Sequence, residues 1–79
     1  MFKISLRVAR ELSGYTAEEA AGNCGIPIYT LNKFETDSGQ MPIKLISKIL
    51  SLYKISSSLI FFGTIEDCIK HNHNRITQG

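Results

Sequence analysis

The chain has 79 residues, of which 43% are hydrophobic and 20% are charged, and its net charge is +2. This length allows a single domain, and the composition is that of an ordinary globular protein, which excludes the collagen-like and disordered classes. The longest apolar run, Leu59–Phe62, is far shorter than the roughly 20 residues of a membrane span, and the first residues do not resemble a signal peptide, so we expect a cytoplasmic protein with no membrane partner.

Proline and glycine residues divide the chain into short helical segments, and no stretch keeps the alternation of a β-strand. We therefore predict an all-α domain of five helices over residues 1–63. A C-terminal extension, 64–79, is expected to be partly helical and then frayed from Asn72 onwards. The predicted helices cover residues of about 3–12, 17–23, 27–35, 43–53 and 57–62, with room for a short sixth helix at about 65–71.

Several of these helix ends have specific local signals. Gly14 ends the first helix, and Thr16 with Glu19 forms the capping box that begins the second. Gly25 suits a tight turn because it adopts a positive φ at no steric cost. Pro27 opens the third helix, as a residue favoured at the first helical position.

Residues 17–35 have the pattern of a helix-turn-helix. Two short helices that cross at a wide angle need small side chains at their contact, a bend in the turn and apolar residues in the wedge between them. Residues of these types occur at the required spacing. They are Ala20, Ala21, Cys24, Gly25, Ile26, Leu31 and Phe34.

The segment GYTAEEAAGNCGIPIYTLNKFE, residues 14–35, resembles the helix-turn-helix of the Cro/cI family of phage and bacterial repressors, also called the XRE or lambda-repressor-like family. The resemblance covers about residues 4–62, and the ending SLIFFG is similar to small regulators of phages and mobile elements. It implies a transcriptional regulator, repressor-like, that binds a double-stranded DNA operator as a homodimer. It also implies a buried ion pair between Arg10 and Glu35 that ties the first helix to the third.

The resemblance further implies that the third helix lies in the major groove. Asn32 would then pair with adenine, Lys33 with guanine or a phosphate, and Ile28 would pack on a thymine methyl group. Main-chain amides at the start of the second helix would bind phosphate. The full set of DNA-binding residues implied in this way is Thr16, Ala17, Pro27, Ile28, Tyr29, Asn32, Lys33, Thr36, Ser38 and Gln40.

The chain departs from the family pattern at several of these positions. Ala17 replaces a glutamine that usually holds a phosphate, and an apolar start, Pro27–Tyr29, replaces a polar one. The loop after Glu35 has no cation, and its Asp37 repels phosphate. Few cationic contacts predict weak and only mildly salt-sensitive binding. The apolar start also leaves open an alternative, a protein-interaction module such as an antirepressor that binds another regulatory protein.

Other residues have simpler interpretations. Cys24 is expected to pack in the core, and Cys68, His71 and His73 lack the fourth ligand of a structural zinc site, so neither a metal nor a cofactor is predicted. No nucleophile has a plausible base and no glycine-rich phosphate loop occurs, so we do not expect an enzyme. Apolar residues near the C-terminus are core or homodimer contacts, the dimer candidates being Leu59, Phe61, Phe62, Ile65 and Ile69.

Overall fold

A computed structural model describes residues 2–78, with side chains as far as His73. Over this range the chain forms five α-helices and two short 3-10 turns, with no strand. The all-α prediction is therefore confirmed. The helices are α1 (Leu6–Leu12), α2 (Ala17–Cys24), α3 (Ile28–Thr36), α4 (Ile43–Tyr53) and α5 (Ile65–Gln78), and the 3-10 turns are Ser38–Gln40 and Ser57–Leu59.

The first helix begins three residues later than predicted. Ser5 is its N-cap, and the Ser5 hydroxyl accepts a hydrogen bond from the Val8 amide. The preceding residue, Ile4, is extended and forms an isolated parallel β-bridge with Ile60. The Ile4 amide donates to the Leu59 carbonyl at 2.8 Å, and the Phe61 amide donates to the Ile4 carbonyl at 3.0 Å. The main-chain groups of Ile4 thus form hydrogen bonds with a distant segment instead of the hydrogen bonds of a helix.

The two C-terminal predictions need correction. The helix expected at 57–62 is wrong, because only Ser57–Leu59 forms a 3-10 turn and Ile60 is already extended. The last helix does not end near residue 71 or fray from Asn72, but continues to Gln78. It begins with Thr64, whose hydroxyl accepts from the Asp67 amide at 3.1 Å. Asn72, inside the helix, is hydrogen-bonded to the main chain of Lys3, so a tertiary contact supports this helix.

The other helix ends follow their local signals. Thr16 and Glu19 form both hydrogen bonds of the capping box, and Gly25 ends α2 in the left-handed conformation with φ of 71°. Pro27 is the N-cap of α3, one position before the first helical position that we predicted for it, and Pro42 is the N-cap of α4. Their fixed φ and missing amide hydrogen suit that position equally well.

The core lies where α1, α2 and α3 meet α4. Its largest fully buried side chains are Leu6, Leu31, Ile49 and Ile60. Helix α4 contributes three buried residues one turn apart, Leu45, Ile49 and Tyr53, so its inward face is continuous along its length. None of the helices in residues 2–78 combines the length and apolar character needed to cross a bilayer.

Candidate functional site

Helices α2 and α3 are joined by a tight turn at Gly25. The Gly25 amide donates to the Gly22 carbonyl and the Ile26 amide to the Ala21 carbonyl, so the end of α2 is closed by its own main chain. Ala20 and Ala21 are both buried and small, which lets α3 pack close to α2. Leu31 on the inner face of α3 is completely buried. The inner face of α3 is therefore held by the core.

A buried ion pair fixes the far end of α3. Arg10 Nε lies 2.7 Å from Glu35 Oε2, and Arg10 Nη2 donates to Glu35 Oε1 at 3.3 Å. Arg10 Nη1 donates to the Tyr15 carbonyl at 2.8 Å. The hydrogen bond with Glu35 raises the pKa of Arg10 above its usual value. The predicted pair between α1 and α3 is confirmed, and it uses the planar guanidinium fork to orient α3.

The opposite face of α3 is open to solvent. Tyr29 is 72% exposed and Ile28 is 42% exposed. Asn32 and Lys33 are also exposed, and Lys33 Nζ lies 5.8 Å from the centre of the Phe34 ring. We call this surface the outer face of α3; it consists of Pro27, Ile28, Tyr29, Asn32 and Lys33, and all five predicted positions lie on it.

The start of α2 carries carboxylates as well as main-chain amides. The Glu19 amide donates to Thr16 Oγ1 at 3.1 Å, and the Thr16 amide donates to Glu19 Oε1 at 2.9 Å. This second bond lowers the pKa of Glu19 below its usual value. Ala17 is half-buried and Glu18 is exposed in the same turn. An anion approaching Thr16 and Ala17 would meet the helix dipole together with two negative side chains.

One predicted DNA contact in the loop after α3 is wrong. Ser38 is 3% exposed, its hydroxyl accepts from the Gly63 amide at 3.1 Å, and it lies 3.4 Å from the Phe61 carbonyl. Its role is to join the loop to the start of α5, because loop chemistry in the sequence does not distinguish an exposed serine from one that serves a distant main chain. Thr36 and Gln40, the other two loop positions, are exposed.

Two lysines that sequence analysis treated as ordinary surface charge lie beside α3. Lys44 and Lys48 are one turn apart on α4, and with Thr30 and Phe34 of α3 they line a cleft of about 460 Å³. Their spacing of four residues could have placed them on one face, but only the tertiary structure places that face on a cleft beside α3. They add positive charge beside α3, on the side of Thr30 and Phe34.

The predicted dimer residues divide into two groups. Leu59, Phe62, Ile65 and Ile69 are exposed, by between 37% and 63%. Phe61 is half-buried, and its ring lies 5.5 Å from the His71 ring. Phe61 is thus mainly a packing residue of the C-terminal segment, whereas Ile65 and Ile69 remain available on the surface of α5.

Comparison with known proteins adds nothing to this geometry. No protein-family model, curated protein or solved structure matches the chain.

The structure offers no grouping of metal ligands over the residues it describes. No three His, Cys, Asp or Glu side chains converge there as a metal ion would require. Both cysteines are buried, and burial raises the pKa of the Cys24 and Cys68 thiols. Buried thiols of this kind are inert packing residues.

Proposed function

We propose that this protein is a sequence-specific DNA-binding transcriptional regulator, of phage or mobile-element type, that acts as a homodimer in the cytoplasm of its host cell. The observation that supports this proposal best is the asymmetry of α3. Its inner face is held by Leu31 and by the Arg10–Glu35 pair, while its outer face is exposed along two turns. A rigid helix with one free polar and aromatic face fits the major groove.

The outer face contains suitable groups for reading bases. Asn32 has the donor and acceptor that adenine presents in the major groove, and Lys33 can donate to guanine or to a phosphate. Ile28 offers an apolar contact for a thymine methyl group. Tyr29, which is 72% exposed, adds an aromatic ring and a hydroxyl. Specificity would therefore rest on two polar side chains and an apolar neighbour.

The charges around α3 favour only modest affinity. Lys33, Lys44 and Lys48 are positive, whereas Glu18 and Asp37 are negative, and all five are exposed. Each neutralised phosphate contributes a slope of about −0.9 to the dependence of log affinity on log salt. With so few cations on each subunit, we expect a shallow salt dependence and weak non-specific binding.

The test is selection of bound duplexes from a randomised pool, followed by fluorescence anisotropy titrations at two salt concentrations. The variant is Asn32→Ala. It is expected to lose about 1–3 kcal/mol of discrimination at one base pair of the selected site, because a bidentate contact to adenine is removed. The matched control is Asn23→Ala, which alters an exposed asparagine of α2 that lies off the outer face of α3.

Lys33→Ala is the companion variant. If Lys33 meets a phosphate, it should weaken binding to all sequences and reduce the salt slope by about one for each subunit bound. Its matched control is Lys54→Asn, which also removes one positive charge, but at the end of α4. Asparagine tolerates the left-handed conformation that Lys54 adopts there. The proposal is contradicted if no duplex is enriched at low salt, or if Asn32→Ala binds the selected site as well as Asn23→Ala does.

A specific observation favours one alternative, a protein-interaction module such as an antirepressor. Pro27, Ile28 and Tyr29 form an exposed apolar and aromatic surface at the start of α3, and such patches often mark contacts with other proteins. Under this alternative the protein would bind no duplex at low salt. It would instead co-purify with a regulatory protein, and Tyr29→Ala would abolish that complex.

A further inference from the structure

A cleft lies between α3, α4 and the turn that joins α2 to α3. Its volume of about 460 Å³ is that of a small-molecule site. The buried side chains of Cys24 and Leu45 line it, together with the half-buried side chains of Ile26 and Phe34. The lining is therefore mainly apolar. Sites for small molecules usually combine such a lining with a few polar groups that fix the orientation of the ligand.

Two lysines supply the charged groups of this cleft. Lys44 and Lys48 are exposed, and because they lie one turn apart on α4 their side chains project from the same face of that helix. Neither forms an ion pair within the described part of the chain. Burial raises the pKa of the Cys24 thiol, and the positive charge of Lys48 opposes this shift. Lys48 therefore lies within electrostatic reach of the buried part of the cleft.

No negative charge of the described residues borders this cleft. Its lining includes no aspartate or glutamate, and α4, Ile43–Tyr53, contains neither residue along its whole length. An uncharged apolar molecule in the cleft would leave both ammonium groups without a partner. A simple inorganic anion would pair with the lysines but would leave the apolar lining in water. The cleft is therefore complementary to a molecule that has an anionic group and an apolar part.

We propose that this cleft binds a small aromatic carboxylate. The ring of the ligand packs between Phe34 and Leu45, where the Phe34 ring offers an edge or a face for an aromatic contact. The two carboxylate oxygens accept hydrogen bonds from the ammonium groups of Lys44 and Lys48. Because the ligand contacts α3 and α4 together, it binds the folded protein and raises the free energy of unfolding.

The cleft is separate from the surface proposed to read DNA. Its lining residues on α3 are Thr30 and Phe34, and neither belongs to the outer face of α3. Ligand binding thus goes beyond the proposed function and is measured on the protein without DNA. Failure to bind a duplex would leave the ligand site standing, and failure to bind the ligand would leave the DNA titrations to be judged on their own.

The first test varies the ligand. Naphthoate is titrated into the isotope-labelled full chain at constant ionic strength, and the amide chemical shifts are followed by NMR. We expect saturable shifts at Ile26, Phe34 and Leu45, with a dissociation constant below about 1 mM. Naphthamide has a similar shape and no charge, so it should bind at least about tenfold more weakly. Acetate and inorganic phosphate, which lack the ring, should give no saturable shifts at these amides.

The second test varies the protein. Lys44→Gln and Lys48→Gln should each raise the dissociation constant for naphthoate by about threefold to fivefold, since each removes one exposed charge pair. Lys54→Asn removes a charge outside the cleft and should leave the constant unchanged. Thr30→Phe places a ring inside the cleft and should abolish saturable binding. Its matched control, Ser47→Phe, places the same ring at an exposed position of α4 outside the cleft, and circular dichroism checks that all variants keep their helices.

Three results would overturn the proposal. The first is the absence of saturable naphthoate shifts at the three amides, or naphthamide binding as tight as that of naphthoate. The second is inorganic phosphate binding there as tightly as naphthoate does, because the lysines would then be only a phosphate contact of the kind that a duplex could use. The third is naphthoate binding that neither Lys44→Gln nor Lys48→Gln weakens, or that Thr30→Phe leaves as strong as in Ser47→Phe.

Discussion

Arg10 and Glu35 form the most consequential polar contact of the domain. The guanidinium and the carboxylate are both nearly buried, and the side-chain atoms meet at 2.7 Å and 3.3 Å. Removing two charges from water costs several kcal/mol for each ion, which their attraction and hydrogen bonds largely offset. The pair is therefore better understood as a device that orients α3 than as a large source of net stability.

Breaking this pair should be far more harmful than replacing it. Glu35→Ala is expected to lower the free energy of unfolding by about 3–5 kcal/mol, because it leaves the Arg10 charge buried without its partner. The double variant Arg10→Met, Glu35→Leu should lie close to the wild type, since two apolar side chains replace both charges. Urea unfolding followed by circular dichroism measures both. A double variant as unstable as Glu35→Ala would show that the pair stabilises the fold outright.

At the scale of elements, α5 and the N-terminal segment support each other. The segment before α1 is extended because Ile4 pairs with the main chain around Ile60, and this leaves both main-chain groups of Lys3 facing Asn72. A second link joins Ser38, in the loop after α3, to Gly63 just before α5. The C-terminal segment is thus connected to the N-terminal segment and to the loop after α3 by hydrogen bonds between side chains and main-chain groups.

Loss of the Asn72 side chain should loosen α5 without unfolding the rest. In Asn72→Ala the Lys3 amide loses its acceptor, so its hydrogen exchange should become markedly faster, while amides of the buried core such as Ile49 keep their protection. Exchange monitored by NMR reports both sites in one experiment. Asn32→Ala, at an exposed position of α3, is the matched control. Equal protection of Lys3 in Asn72→Ala and in the control would mean that other contacts hold α5.

For the whole molecule, the buried titratable groups point to sensitivity at alkaline pH. Burial raises the pKa of the Cys24 and Cys68 thiols above an ordinary value of 9.0 and that of the Tyr53 phenol above 10.0. The folded state therefore binds these protons more tightly than the unfolded state does. Their contribution to stability is complete below about pH 9 and is lost as the pH rises through the folded pKa values.

We therefore expect the free energy of unfolding to fall steadily above about pH 9, as measured by urea titrations between pH 7 and pH 11. Tyr53→Phe separates one contribution, because the Tyr53 hydroxyl is buried and has no hydrogen-bond partner in the described part of the chain. At pH 7 the free energy of unfolding of this variant should equal that of the wild type or exceed it by up to about 1 kcal/mol, because an unsatisfied buried hydroxyl is removed. Above pH 10 its stability should fall less steeply. If the stability of Tyr53→Phe fell more steeply than that of the wild type, Tyr53 would not be a cause of the alkaline loss of stability.

The local signals in the chain were sufficient for the helix-turn-helix. The capping box at Thr16 and Glu19 and the left-handed Gly25 depend on residues four positions away or fewer, so their effect can be worked out from neighbours alone. The small Ala20 and Ala21 suit the close contact of two helices that are joined by so short a turn. The exposure of the outer face of α3 follows from the same periodicity. The Arg10–Glu35 pair was expected only through the family resemblance, and the structure bears it out.

Contacts between distant parts of the chain decided the rest. Lys3 and Asn72 are 69 positions apart, yet their hydrogen bonds help to extend α5 beyond the predicted end and accompany the late start of α1. The sequence around Ser38 predicts an exposed loop residue, but its hydroxyl accepts a hydrogen bond from the amide of Gly63, 25 positions away. Lys44 and Lys48 line a cleft beside α3 only because the tertiary structure brings α4 next to Thr30 and Phe34. Contacts between residues so far apart in the chain depend on how the helices and loops pack. Periodicity and capping signals act locally, so they do not predict that packing.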